Sequence, residues 1–157
     1  MNTRSAFLGV LATLTLSLAC GVAFAGDEHD TCDEGCTPGY WKQDHHFDSW
    51  PAPYTPDSSL RDVFVTDPVE LVPDDTFLEA LQYGGGSGIA GATRILLRAA
   101  VASLLNSAAP DVEFAVSTGH VVDTTIDRIE TQYRPTLLKR ADYFDSINNG
   151  DGGCPLN

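Results

Sequence analysis

One segment sets the terms for the whole chain: residues 89–107 are apolar on nearly every face. Ile95, Leu96, Leu97, Val101, Leu104 and Leu105 spread around the circumference of any helix drawn through them. A helix that is apolar all round must be buried, so the other elements have to wrap it. Ala90, Ala92, Ala99, Ala100 and Ala102 are small enough to let those neighbours come close. Helical partners follow from the periodicity. Leu60, Val63 and Phe64 give a short amphipathic turn or two. Thr76-x-x-Glu79 is a capping box opening a helix with Phe77, Leu78 and Leu81 on its apolar side, and Gly84-Gly85-Gly86 stops it. Residues 118–133 place Val122, Ile126, Ile129 and Tyr133 at i, i+4, i+7 and i+11, one stripe. Pro135 fits the first turn of a last helix striped by Leu137, Ala141, Phe144 and Ile147, and Asn148-Asn149-Gly150 ends it. No segment alternates like a strand. The expectation is an all-α domain of about four helices.

The first 25 residues read differently. Arg4 is the only charge before Asp27, Phe7 to Val22 is apolar apart from small and hydroxyl residues, and Ala23-Phe24-Ala25 supplies small residues before a polar break. This pattern predicts a cleavable secretory signal over 1–25 and an exported protein that is periplasmic, secreted or held at the cell surface. The acidic run after Ala25 argues against a retained membrane span. Ser17-Leu18-Ala19-Cys20 resembles a lipoprotein box, but Ser17 stands where a large aliphatic residue belongs and apolar sequence continues past Cys20. The mature chain of roughly 130 residues is the size of one ordinary domain. It divides into a flexible acidic leader over 26–35 and a helical domain over 36–157. The full chain carries a formal net charge of −13, with 22 acidic against 9 basic side chains. That excess excludes nucleic acid and disfavours anionic lipid as partners, since both need a positive field.

Export also bears on the cysteines. Loss of Cys20 with the signal leaves Cys32, Cys36 and Cys154. Thiols outside the cytoplasm tend to pair, and an odd number leaves one over. A bond from Cys154 to either partner closes a loop of roughly a hundred residues or more, worth about 4–5 kcal/mol in the chain-entropy model, whereas Cys32–Cys36 closes a tiny one. The long staple is preferred, with Cys36 only narrowly favoured over Cys32 as its N-terminal end. The remaining thiol, Cys32 on that reading, would be free or would join two chains into a disulfide-linked dimer.

Between leader and helices, residues 37–56 hold Pro38, Pro51, Pro53 and Pro56 together with Tyr40, Trp41, Phe47, Trp50 and Tyr54. The prolines forbid a continuous helix and favour extended or turn geometry. The expectation is an irregular strap across the helical domain. Its aromatics could present a platform for a glycan or protein partner through Tyr40, Trp41 and Trp50. The preferred reading is that they anchor the strap to a core short of large side chains.

Cys36-Thr37-Pro38-Gly39-Tyr40-Trp41-Lys42, followed by a histidine and then Trp50-Pro51, resembles the CTPGYWKNH…W signature of a largely uncharacterised group of secreted and surface-anchored bacterial and archaeal proteins. Leu96-Leu97-Arg98-Ala99-Ala100-Val101-Ala102-Ser103-Leu104-Leu105-Asn106 is similar to that group's LLRAAVAALLNA helix. Asn148-Asn149-Gly150 through Cys154-Pro155-Leu156-Asn157 is similar to its NNG-CPLN ending. The three blocks span nearly the whole mature chain. The resemblance implies no catalytic residue, and it implies that the Cys36 and Cys154 blocks belong together. This chain departs from the pattern after Lys42, where Gln43-Asp44-His45-His46 replaces Asn-His.

Cys32, Cys36, His45, His46 and Cys154 together have the soft-ligand chemistry that suits zinc or copper. Their spacing matches no standard finger, and an oxidising compartment favours disulfides over thiolates, so a metal role falls mainly to His45 and His46. His29 is one place too late for an amino-terminal copper site if the chain begins at Gly26. Gly86-Ser87-Gly88-Ile89-Ala90-Gly91 satisfies the dinucleotide fingerprint but follows a helix rather than the strand that fingerprint requires. The acidic stretch from Asp145 fails the calcium-loop register, because Ile147 falls at position three when Gly150 is at six. Asp123 and Asp127 read as a solvated helix face. No hydrolase, metalloprotease or haem-attachment motif occurs. The expected function is an exported, non-enzymatic structural or partner-binding module of the cell envelope or surface. A zinc- or copper-binding protein using His45 and His46 is the second reading, and a hydrolase of unrecognised type is the third.

Overall fold

The computed structural model describes residues 33–156. The predicted signal over 1–25, most of the leader, Cys20, His29 and Cys32 lie outside the described residues. In chain order the helices are α1 (Pro38–Trp41), α2 (Leu60–Val63), α3 (Phe77–Leu81), α4 (Gly88–Ala108), α5 (Thr118–Glu130) and α6 (Arg134–Asn148), with two 3-10 turns at Asp44–Ser49 and Val69–Leu71. Among the described residues there is no strand, only isolated bridges at Glu34–Gly153 and Ser59–Thr76.

α4 is the axis of the domain. Leu96, Leu97, Ala99, Ala100, Val101, Ala102, Leu104 and Leu105 are all buried. α6 packs against it most extensively, then α5 and α3, with α1 at its C-terminal half. By length and composition α4 could cross a membrane, but 67% of its apolar window is already buried by these neighbours. The small side chains at 99, 100 and 102 allow the close approach. Gly91 has a second reason to be small. A Cβ there would overlap the carbonyl group of Gly86, so the chain entering α4 folds back onto its first turn only because residue 91 is glycine. This contact accounts for Gly91, and Gly88 takes a left-handed φ of 71° at the start of the helix.

The capping box is formed as expected. Thr76 Oγ1 accepts from Glu79 N at 3.3 Å, and Glu79 Oε2 accepts from Thr76 N at 2.8 Å. α6 begins with Pro135 in its first turn and buries Leu137, Ala141 and Phe144.

Three differences have physical causes. First, α5 stops at Glu130 because Gln132 takes a left-handed φ of 48°. Tyr133 therefore leaves the expected stripe, precedes α6, and is 59% exposed. The face that α5 buries is Val121, Thr125 and Ile129, and Thr125 sits there because its hydroxyl donates to Val121 O at 2.7 Å. Second, the strap is not extended throughout. Pro38 opens α1, whose N-cap Thr37 accepts from Tyr40 N at 3.2 Å. Proline costs nothing in a first turn, where its N–H would have no partner. Third, Asp33, Glu34 and Gly35, assigned from sequence to the leader, are part of the fold. Gly35 N donates to Gly153 O at 2.9 Å, and Glu34 Oε2 accepts from Glu113 N at 2.7 Å.

Candidate functional site

The three sequence blocks meet at one place. Cys36 and Cys154 are joined by a disulfide that ties the start of the strap to the C-terminus across 118 residues. Cys36 is fully buried, and directly behind it lies Asn106, a fully buried amide near the C-terminal end of α4. Its Oδ1 accepts from Cys36 N at 2.9 Å and from Trp41 Nε1 at 3.0 Å. Its Nδ2 donates to Cys36 O at 2.9 Å and to Asn148 Oδ1 at 2.9 Å. An asparagine side chain offers two donors and two acceptor positions, so this one is saturated.

Asn148, the last residue of α6 and also fully buried, extends the network. Its Oδ1 accepts a second bond from Ser103 Oγ at 2.9 Å, and its Nδ2 donates to Ala99 O at 2.9 Å. Among the described residues no buried side-chain polar atom lacks a partner. The strap is thus held by one covalent bond and by an amide pair reading its backbone. Two outer contacts finish the clasp: Trp50 Nε1 donates to Trp41 O at 3.1 Å, and Tyr40 OH donates to Leu156 O at 2.7 Å.

Beside the clasp lies an open cleft of about 450 Å³. Thr37, Gly39 and Lys42 form one wall, Gln82 and Tyr83 at the end of α3 another, and Arg98 of α4 with Asp145 and Asn149 the rest. Arg98 is oriented by Tyr83, whose carbonyl oxygen accepts from Nη1 at 3.2 Å. Tyr83 is itself fixed, with its hydroxyl donating to Asp75 Oδ2 at 2.5 Å. Burial first, and then this carboxylate, push the Tyr83 phenol well above its ordinary pKa. Arg94, one turn before Arg98, places its guanidinium carbon 6.0 Å from the Tyr83 ring centroid.

The residues singled out from sequence fare differently. Cys36 and Cys154 are the staple. Cys32 lies outside the described residues. Trp41 is completely buried and Trp50 is 9% exposed, so the platform of Tyr40, Trp41 and Trp50 does not exist as a surface. Both indoles are turned inward because each N–H finds an acceptor there, and the ring area is worth more in the core than in water. Tyr40 alone keeps some exposure, with His46 stacked on its ring at 3.8 Å. His45 is exposed beside Asp44, with Nδ1 and Oδ1 3.5 Å apart. The disulfide removes two of the thiols that a zinc or copper site would use. No three His, Cys, Asp or Glu side chains converge among the described residues.

The cleft and the amide pair were not singled out from sequence. Asn106 carried a signal nonetheless, as a polar residue on a helix otherwise apolar all round. A buried polar group of that kind must have partners. Comparison with protein-family models, with curated proteins and with solved structures returned no match.

Proposed function

We propose that this chain is an exported, non-enzymatic module of the cell envelope or surface, structural or partner-binding, whose strap is a fixed part of a rigid scaffold. The observation that carries the reading is the Cys36–Cys154 disulfide. Such bonds form and persist in oxidising compartments, in keeping with the signal-like pattern of residues 1–25. The saturated amide network behind the bond supports rigidity: a fully satisfied buried network holds one arrangement of the groups around it. The resemblance to secreted and surface-anchored proteins agrees, since its three blocks are the ones this clasp joins. The open cleft beside the clasp offers a binding face with a defined shape.

Expression of the full chain and of a form lacking residues 1–25 in a bacterial host tests the compartment. We expect the full chain to be cut after Ala25 and recovered outside the cytoplasm, with Cys36 and Cys154 protected from alkylation. The truncated form should stay inside with both thiols reactive. A full chain that remains cytoplasmic and reduced rejects the reading.

A further inference from the structure

The chain carries a formal net charge of −13, yet two of the three charged side chains that line the cleft beside the clasp are basic. Lys42 and Arg98 line the cleft, and Asp145 is the single acidic side chain among the lining residues; behind the Tyr83 wall, Arg94 is offset by Asp75 and Glu79. These charges are not spent on one another. The ion pairs among the described residues are Asp44–His45 and Arg61–Asp74, and neither involves the cleft. Lys42 is exposed at the end of α1. Arg98 is half-buried and aimed by the Tyr83 carbonyl, which leaves the rest of its guanidinium fork for a second partner. An aimed arginine, a nearby lysine and a separate carboxylate form two opposite poles in one concavity.

We propose that this cleft binds a small zwitterion of the amino-acid type, with its carboxylate on Arg98 and Lys42 and its ammonium on Asp145. Arginine's planar fork matches a carboxylate in a bidentate pair, and lysine adds a point charge. The acidic surroundings select against multiply charged anions, which the field of the whole protein repels, but not against a ligand with no net charge. A volume of about 450 Å³ admits a free amino acid or a short peptide, within the usual range for small-ligand sites. Both sources share the same two end groups. The inference concerns the cleft alone and holds in whichever compartment the protein resides.

Amide chemical shifts of the oxidised mature chain, followed by NMR during titration, test it. The probes are L-alanine, tri-L-alanine, their N-acetyl and C-amide derivatives, and inorganic phosphate. We expect alanine or trialanine to produce saturable shifts at Gly39, Lys42, Gln82 and Asn149. Amidation should abolish them. Lys42→Gln or Arg98→Gln should weaken binding about tenfold or more, the range for losing a charged hydrogen bond. Asp145→Asn should weaken the zwitterion while leaving the N-acetyl form unchanged. Lys42 and Asp145 are both exposed, so those variants keep the fold if Arg98→Gln does not. A response to alanine alone marks a free amino-acid site, and a response to trialanine alone marks a peptide site. No saturable shift, a stronger response to phosphate, or binding unaffected by Lys42→Gln and Asp145→Asn would overturn the proposal.

Discussion

Asn106→Ala is the substitution that most directly probes the clasp. It removes both acceptor bonds and both donor bonds of the amide. Cys36 N, Cys36 O and Trp41 Nε1 then lose the partners the amide supplies, while Asn148 Oδ1 keeps Ser103 Oγ. Cys36 and Trp41 are both fully buried, so water reaches these groups only if the strap opens. A buried polar group left unsatisfied costs about 1–3 kcal/mol. Three such groups, partly relieved by relaxation, put the loss at about 3–5 kcal/mol, a large share of the ~5–15 kcal/mol that a domain has in total. Asn106→Leu separates this cause from a simple cavity. It restores volume but satisfies nothing, so it should remain about as destabilised as the alanine variant.

Asn106→Asp supplies a further check. It keeps the two acceptor bonds but turns a carboxylate toward Cys36 O and Asn148 Oδ1, two acceptors. Burial and those oxygens raise its pKa above the unfolded value. A raised carboxyl pKa favours the folded state below the unfolded pKa and loses that benefit as pH rises through the folded one. The Asn106→Asp variant should therefore gain stability relative to wild type as pH falls below neutrality. Urea unfolding of the oxidised chain lacking residues 1–25, followed by far-UV circular dichroism, measures all three. A loss under ~1 kcal/mol for Asn106→Ala would refute the reasoning. So would recovery of most of the loss by Asn106→Leu.

Reduction of Cys36–Cys154, which spans 118 residues, should cost about 5 kcal/mol in the chain-entropy model; a urea midpoint that does not move with reductant refutes that account. Gly150→Ala places a Cβ on the Asp33 carbonyl oxygen, backbone that cannot swing aside. We expect a loss of about 2 kcal/mol or more, with faster amide exchange at Gly35 and Gly152. Gly84→Ala meets nothing within 4 Å and should be near neutral. Among the five tyrosines, Tyr83 and to a lesser degree Tyr54 should ionise after the rest, because burial raises both and Asp75 raises Tyr83 further. The raised phenol of Tyr83 stabilises the fold fully below its unfolded pKa, and that contribution fades as pH climbs above it. Absorbance at alkaline pH should show one fewer late step in Tyr83→Phe.

Much of the architecture was legible because it rests on local rules. The capping box at Thr76 and the stripe of Leu137, Ala141 and Phe144 each depend on residues within a turn or two, whereas α3 already ends at Leu81, ahead of the glycines that start at Gly84. What misled was local as well. The α5 stripe ran on to Tyr133 because periodicity does not register a single left-handed residue, Gln132. Thr125 is buried although polar, because its hydroxyl is satisfied within its own helix, and a pattern of apolar residues does not register such a position. The candidate site was far less legible. Asn106 and Asn148 are 42 residues apart and bond only after α4 and α6 pack. From sequence, Asn148 read as a stop signal for a helix, and nothing local marks it as buried. The cleft draws walls from the strap, α3, α4 and α6 at once, and no sequence window contains them.

The disulfide and the amide pair hold the same segment but act on different states. The covalent bond acts mainly on the unfolded ensemble, by shortening it. It does not by itself decide which cysteine near the N-terminus is used. Asn106 does bear on that choice, because its amide pairs with the N–H and C=O of one particular residue, Cys36, and with the indole five positions later. A slip of the strap by one residue would break the donor and acceptor bonds together and pull Trp41 from its acceptor. Cys32, four residues before Cys36, is the competing thiol in the sequence. If packing against Asn106 precedes oxidation, Asn106→Ala should change the pairing as well as the stability. Oxidative refolding of the chain lacking residues 1–25, quenched by alkylation and mapped by mass spectrometry, should then show Cys32–Cys154 and Cys32–Cys36 rising at the expense of Cys36–Cys154. Wild type should give the native pair almost alone. An unchanged distribution of pairs in Asn106→Ala, with stability lowered as calculated, would mean that the network only stabilises a register that the chain has already chosen by other means.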